Sequence, residues 1–206
     1  MQTNGKVTDF LENTQKELSS FFDVEIKIPE VCLTNSRKEI DDILGWKTQD
    51  WLTGFAKDGK IYILNPNVYI KESDHENIEH FWKTLKHEYC HIYFRTITRI
   101  GYPKWLNEGL ACYLSGQDKK EPTKQDALKI FDYFQKNDWQ TGEIGYFWVR
   151  LLISKFGKKK LLELIKCLKP DISEKEFAEN FYKIYGIRYS KEETLKRLEK
   201  AIKSCS

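Results

Sequence analysis

Long apolar runs are missing from this 206-residue chain. Nothing approaches the ~18–20 consecutive apolar residues of a membrane helix, and Met1 to Phe22 is interrupted by polar residues too often for the apolar core of a signal peptide. Cysteine is sparse: Cys32, Cys90, Cys112, Cys167 and Cys205 stand far apart with no CxxC pair. That excludes a disulfide framework and a cysteine-built zinc finger, and predicts reduced thiols in a cytoplasmic protein. With 5 Pro and 11 Gly the chain is neither collagen-like nor of low complexity. Charge of one sign is lacking too, since 34 basic and 31 acidic residues leave only +3. The basic excess collects over 155–203 but is interleaved with acids, a solvated helical surface rather than a nucleic-acid footprint. What is present, 40% hydrophobic residues, is enough to bury a core in one domain.

Periodicity divides the chain into a mixed first half and a helical second half. Val7, Phe10, Leu11, Leu18 and Phe21 recur at helical spacing and predict a helix over 6–22. Val24, Ile26 and Ile28 alternate with Glu25 and Lys27, predicting a strand that stops at Pro29 and can resume over 31–34. A helix over 36–44 with Gly45 as its stop comes next. Strands over 51–56 and 60–64 flank Lys57-Asp58-Gly59, whose Asp-Gly pair signals a hairpin. Ser73 with Glu76 reads as a capping box opening a helix to about 97, broken at Gly101-Tyr102-Pro103. Helices follow at about 104–115, 124–137, 143–156, 158–168, 173–185 and 190–203. The expected class is α+β in a single domain. Its N-terminal lobe, about 1–100, holds a small sheet with helices, and its lobe over about 101–206 is all-helical.

His87-Glu88-Tyr89-Cys90-His91 is an HExxH string. Helix residues four apart sit one turn apart and about 40° apart around the axis, so both imidazoles can hold one Zn²⁺. Glu88 beside them is placed to take a proton from water rather than to ligate. Ile78, Phe81, Trp82, Leu85, Tyr89 and Ile92 form an apolar stripe roughly opposite the histidines. A third histidine at HExxHxxGxxH spacing is excluded, because those positions are Phe94 and Ile97. The alternative is a carboxylate from the next helix. Glu108, in Trp105-Leu106-Asn107-Glu108-Gly109, falls 17 residues after His91, enough for one helix to end and another to return. A His₂Glu set leaves one coordination position open, as catalytic zinc requires.

The strings HEYCH (87–91) and WLNEGLACY (105–113) resemble those of the gluzincin metallopeptidases, in particular peptidase MA-like proteins and the catalytic core of aminopeptidase-N-like enzymes. More weakly, Gly54-Phe55-Ala56 and Ile61-Tyr62-Ile63-Leu64 resemble the strands beside that family's cleft, Gly145 to Gly157 its later helix, and Phe177 to Gly186 its C-terminal helix and turn. The resemblance implies a zincin-like fold with an active-site cleft between the lobes, and one Zn²⁺ on His87, His91 and Glu108. It implies hydrolysis of peptide bonds, with Glu88 as general base and then acid. It also implies a Tyr or His donating to the oxyanion; Tyr146, which opens the helix resembling the family's tyrosine-bearing segment, is the candidate.

Two departures sharpen this expectation. Thermolysin-like members carry an Asp one turn after the ligand Glu, where this chain has Cys112, so other groups must orient the histidines. The aminopeptidase GxMEN segment corresponds to Gly54-Phe55-Ala56-Lys57-Asp58, which has no Glu to grip a free α-amino group. An endopeptidase is therefore expected, its peptide or protein substrate pairing with the strand at Gly54–Ala56. The alternative is a zinc-containing peptide-binding module with little turnover. No nucleic acid or membrane partner is expected. His80, seven residues before His87, is about 10.5 Å away along a helix and too far for the same ion. His80 and His75 are expected on the solvated surface, and Cys90 in the packing. Trp46, Trp51, Trp105, Trp139 and Trp148 are expected in the core or helix packing, and Lys158 to Lys160 on a solvated turn.

Overall fold

The computed structural model describes residues 2–194; Cys205 and most of the helix expected over 190–203 lie outside them. Two compact units are present, one drawn from the chain up to Tyr93 with Leu114–Gly116, the other from Phe94–Tyr113 and from Gln117 onward.

The first unit begins with α1 (Gln2–Phe22), whose Val7, Leu11, Leu18 and Phe22 are buried along one stripe. After α1 come β1 (Val31–Thr34), α2 (Arg37–Leu44), β2 (Gly54–Lys57), β3 (Lys60–Leu64) and α3 (Glu79–Thr98), of which the residues up to Tyr93 belong to this unit. The sheet order is β1-β3-β2, with β1 parallel and β2 antiparallel to β3. Lys57 pairs with Lys60, leaving a two-residue loop in which Asp58 (φ 53°) and Gly59 (φ 75°) are both left-handed. A type I′ turn requires this, and Asp-Gly supplies it at little cost. α2 is bounded as expected: Ser36 accepts from the Glu39 amide, and left-handed Gly45 donates to the Asp41 carbonyl.

The segment after α2 is held by one side chain. The Arg37 guanidinium donates to the carbonyls of Gln49 (2.6 Å), Asp50 (2.9 Å), Leu52 (3.1 Å) and Glu72 (3.0 Å, from Nε), and to the Thr48 hydroxyl (3.2 Å). Its planar fork of donors joins a loop that makes no ladder of its own to the turns before α3.

Two expectations in this unit are corrected. Residues 24–28 form no strand: the Ile26 carbonyl accepts from the Gln15 side-chain amide (2.8 Å) and the Tyr89 hydroxyl (3.0 Å), so helix side chains replace a ladder partner. Ser73 does not cap α3, because its hydroxyl donates to the Tyr69 carbonyl (2.7 Å). The helix starts instead at Glu79, whose amide donates to Asn77 Oδ1 (3.0 Å).

The second unit contains α4 (Lys104–Ser115), α5 (Lys124–Ala127), a 3₁₀ turn (Leu128–Asp132), α6 (Thr141–Lys166) and α7 (Glu174–Tyr185). α6 covers both helices expected over 143–168, bent at Gly157 (φ 80°, ψ 159°). The helix expected over 124–137 breaks up after one turn. The Tyr133 hydroxyl donates to Asp138 (2.8 Å) and the Trp148 indole to the Ala127 carbonyl (2.8 Å), tying this segment to α6 and its entry. Trp105, Phe134, Phe177 and Tyr189 form the aromatic centre, with Phe134 and Tyr189 rings 5.4 and 5.2 Å from that of Phe177. Trp105 and Trp148 are core residues as expected, but Trp46 (52%), Trp51 (55%) and Trp139 (77%) are exposed, because turns carry them. Among the described residues no helix is long and apolar enough to cross a membrane.

Candidate metal centre

α3 carries three of the five candidate groups. Helical spacing puts His87, Glu88 and His91 on one face, and the two imidazole rings lie 4.6 Å apart with their planes at 89°. Phe81, Leu85, Tyr89, Cys90, Tyr93 and Phe94 of the same helix are wholly buried, so α3 is enclosed around most of its circumference. His91 (5% exposed) and Glu88 (7%) are enclosed with it, and His87 is half-buried. Polar groups so placed are retained only where something pairs with them.

The fourth group is set by α4. Its first-turn amides are satisfied from outside the helix, Lys104 N–H donating to the Phe134 carbonyl (2.9 Å) and Trp105 N–H to the Tyr133 carbonyl (3.2 Å). One residue beyond Glu108, the helix meets α6 backbone to backbone: a Cβ at Gly109 would stand 2.3 Å from the Gly145 carbonyl carbon and oxygen. One turn on, Cys112 Sγ lies 3.4 Å from where a Gly142 Cβ would be. Small residues on both helices thus let α4 seat against α6 and fix the stretch that bears Glu108.

One ligand atom from each of His87, His91 and Glu108 lies within 4.8 Å of the others, and among the described residues no other three His, Cys, Asp or Glu side chains are gathered this way. Tetrahedral zinc with bonds of about 2.0–2.2 Å holds its donors about 3.4 Å apart, so modest side-chain rotations close the set. Two imidazoles and a carboxylate suit Zn²⁺ and leave one position open. The residues fit the ion. Cys90 and Cys112 are outside the set; Cys90 packs, and the Cys112 thiol donates to Gln117 Oε1 (3.8 Å).

Tyr146 is buried in the second unit, and its hydroxyl donates to Asp118 Oδ1 (2.7 Å). That hydrogen bond, with burial adding to it, holds the phenol above its usual pKa. To serve an oxyanion, Tyr146 would have to exchange this partner. Asp118 lies 28 residues before Tyr146, and no spacing rule connects them. His75 and His80 are half-buried rather than solvated: their rings stack at 4.6 Å, and His75 stacks on Tyr69 at 5.6 Å.

The strand beside α3 is β2. Thr53 accepts from the Leu64 amide (2.9 Å), so ladder alternation turns the amide groups of Gly54 and Ala56 away from β3, on the sheet edge. Gly54 itself rests on α3: a Cβ there would come within 3.2 Å of Thr84 Cγ2. Comparison with family models, curated proteins and solved structures finds no match to this chain.

Proposed function

We propose that the chain is a zinc-dependent metallopeptidase, most consistent with an endopeptidase. The observation that carries the reading is the gathering of His87, His91 and Glu108 ligand atoms within 4.8 Å, with Glu88 enclosed on the same helix face as the two histidines. A metal-holding scaffold needs only the three ligands; an acid next to the first histidine is what hydrolysis adds. Zinc, when bound, supplies Lewis acidity that lowers the pKa of water toward about 7 and polarises a scissile carbonyl.

The chain's own residues supply the rest. A Glu88 carboxylate oxygen accepts the proton of the attacking water and passes it to the departing amine nitrogen. The enclosure of Glu88 excludes bulk solvent and strengthens each electrostatic contact it makes. The peptide is read as lying along the Gly54–Ala56 strand, which stands at the edge of the sheet and rests on α3 through Gly54. The segment Gly54 to Asp58 has no Glu to grip a substrate's free amino group.

Elemental analysis of the purified protein should find one zinc per chain, weakened in Glu108→Ala. Wild type should cut a mixed peptide library in a chelator-sensitive way. Glu88→Gln should retain zinc while cleavage falls by about 10²-fold or more, the scale of a positioned general base. Zinc-bound Glu88→Gln cleaving like wild type would sink the mechanism. A second reading, a zinc-containing peptide-binding module with little turnover, is favoured by one observation: the Tyr146 hydroxyl is already committed to Asp118. Saturable peptide binding with no cleavage across the library would support it.

A further inference from the structure

The two long helices of the first unit leave an open cleft between them. α1 and α3 run in the same direction: the Phe10 and Trp82 rings meet at 4.9 Å, Glu17 pairs with Lys86, and Ser19 hydrogen-bonds with the Tyr93 hydroxyl at 2.7 Å. Beside the ring contact lies a cleft of about 520 Å³, lined by Lys6, Asp9 and Phe10 of α1 and by Glu79, Trp82 and Lys83 of α3. Its floor is aromatic and its rim is charged. At 100° per residue, Lys6 and Asp9 turn about 40° and about 100° to one side of Phe10. The opposite rotation about α3, about 60° and about 100° from Trp82, brings Glu79 and Lys83 to that same side. Lys6 precedes Phe10 by about 6 Å of helix rise and Glu79 precedes Trp82 by about 4.5 Å, so these two stand nearly level, as do Asp9 and Lys83. Read in chain direction, the rim is positive then negative along α1 and negative then positive along α3. Among the described residues neither facing pair closes into an ion pair, although Glu17 and Lys86 further along the same helices do.

We propose that this cleft is the contact surface of a homodimer in which a two-fold axis, parallel to the helices, lays α1 of each copy over α3 of the other. Under that operation Lys6 of one copy meets Glu79 of the other and Asp9 meets Lys83. Every charge on the rim then faces its opposite, and the Phe10 and Trp82 rings close on the axis. The charge order selects this occupant. A dipolar small molecule aligned with the α1 rim would be opposed by the α3 rim, whose order is reversed. A partner of one sign would be repelled by half of the charges, whereas a second copy is matched to both rims at once. Single exposed ion pairs contribute little, so the apolar floor supplies most of the affinity and the charges fix the register. The patch is small, which sets the dimer among weak associations. None of its residues belongs to the His87, His91 and Glu108 group, and the inference stands whether or not the chain cleaves peptides.

Sedimentation equilibrium of the full chain, from about 5 to about 300 µM, tests this. In about 50 mM salt the wild type should dimerise with a Kd of roughly 50 µM, and about 500 mM salt should weaken it roughly fivefold. Lys6→Glu sets a carboxylate against Glu79 across the axis, and Glu79→Lys sets an ammonium against Lys6. Each alone should weaken association about tenfold or more. An equimolar mixture of the two variants should recover wild-type association to within about threefold, because the reversed charges pair again between unlike chains. Recovery on mixing is a result that loss of folding cannot give. Lys47→Glu, on the exposed turn after α2, is the control and should dimerise like the wild type. A wild type that stays monomeric at about 300 µM would overturn the proposal and leave the cleft to a different partner. So would a dimer that survives both reversals, which must use another surface, or a mixture that stays monomeric.

Discussion

Gly109→Ala should destabilise the protein even though it introduces a better helix former. In an ordinary helix interior the change gains about 0.5–1 kcal/mol. Here the added Cβ would stand 2.3 Å from the carbonyl carbon and oxygen of Gly145 and 2.8 Å from its Cα, whereas ordinary contact lies at 3.4–4 Å. The struck atoms are backbone and cannot rotate aside, so α4 and α6 must part by about 1 Å in a close-packed interior. Nor can α6 yield locally, because a Cβ at Gly145 would itself be 2.1 Å from the Trp105 carbonyl oxygen. Overpacking typically costs 1–3 kcal/mol. Taking about 3 and offsetting about 1 for helix propensity leaves a net loss of about 2 kcal/mol, or about 4–8 °C in Tm for a chain of this size. Thermal melts followed by far-ultraviolet circular dichroism measure it, with Gly5→Ala in α1 as the control. Nothing lies within 4 Å of a Cβ at Gly5, so there the sign should reverse to a small gain. A Gly109→Ala protein melting at or above wild type would refute the backbone-to-backbone crossing.

Two further outcomes test the first unit. Arg37→Lys keeps the charge but loses the fork that satisfies the carbonyls at 49, 50, 52 and 72, and should cost about 2–3 kcal/mol in a urea titration. An unchanged midpoint would mean that water serves those carbonyls as well. Asp41 Oδ1 accepts from both the Thr48 hydroxyl (2.6 Å) and its amide (2.8 Å), and these bonds hold the carboxyl below its usual pKa. A depressed carboxyl stabilises the fold above its unfolded pKa, near 4, and that contribution is lost as pH falls through the lower folded value. Thr48→Val, which removes the hydroxyl bond, should therefore narrow the difference between urea midpoints at pH 6 and pH 3. The same difference in variant and wild type would contradict the assignment.

Much of the candidate site could be read without coordinates, because its signals are local. The two histidines share a helix face wherever HExxH is helical, and Glu88 sits beside them for the same reason. Glu108 needed only a helix break and a returning helix. What places Glu108 was invisible: Gly109 and Gly145 are 36 positions apart, and only packing reveals that each is a glycine because the other's backbone is there. The partner of Tyr146 was invisible too.

The same division runs through the fold. Ser36 and Gly45 around α2, the Asp58-Gly59 turn, the extent of α4 and the ends of α7 follow from chemistry within four or five residues of each point. A cap, a left-handed glycine or an Asp-Gly turn is stabilised by its own neighbours. Where competing partners are distant, local pattern lost. The alternation over 24–28 lacked a strand to pair with, while Val31–Thr34 found β3 thirty residues on, and Ile26 was taken by side chains of α1 and α3. Ser73 was drawn to Tyr69, leaving the start of α3 to Asn77. A hydrogen-bonding group with two possible partners goes to the one that tertiary packing brings within reach, and sequence distance does not measure that reach.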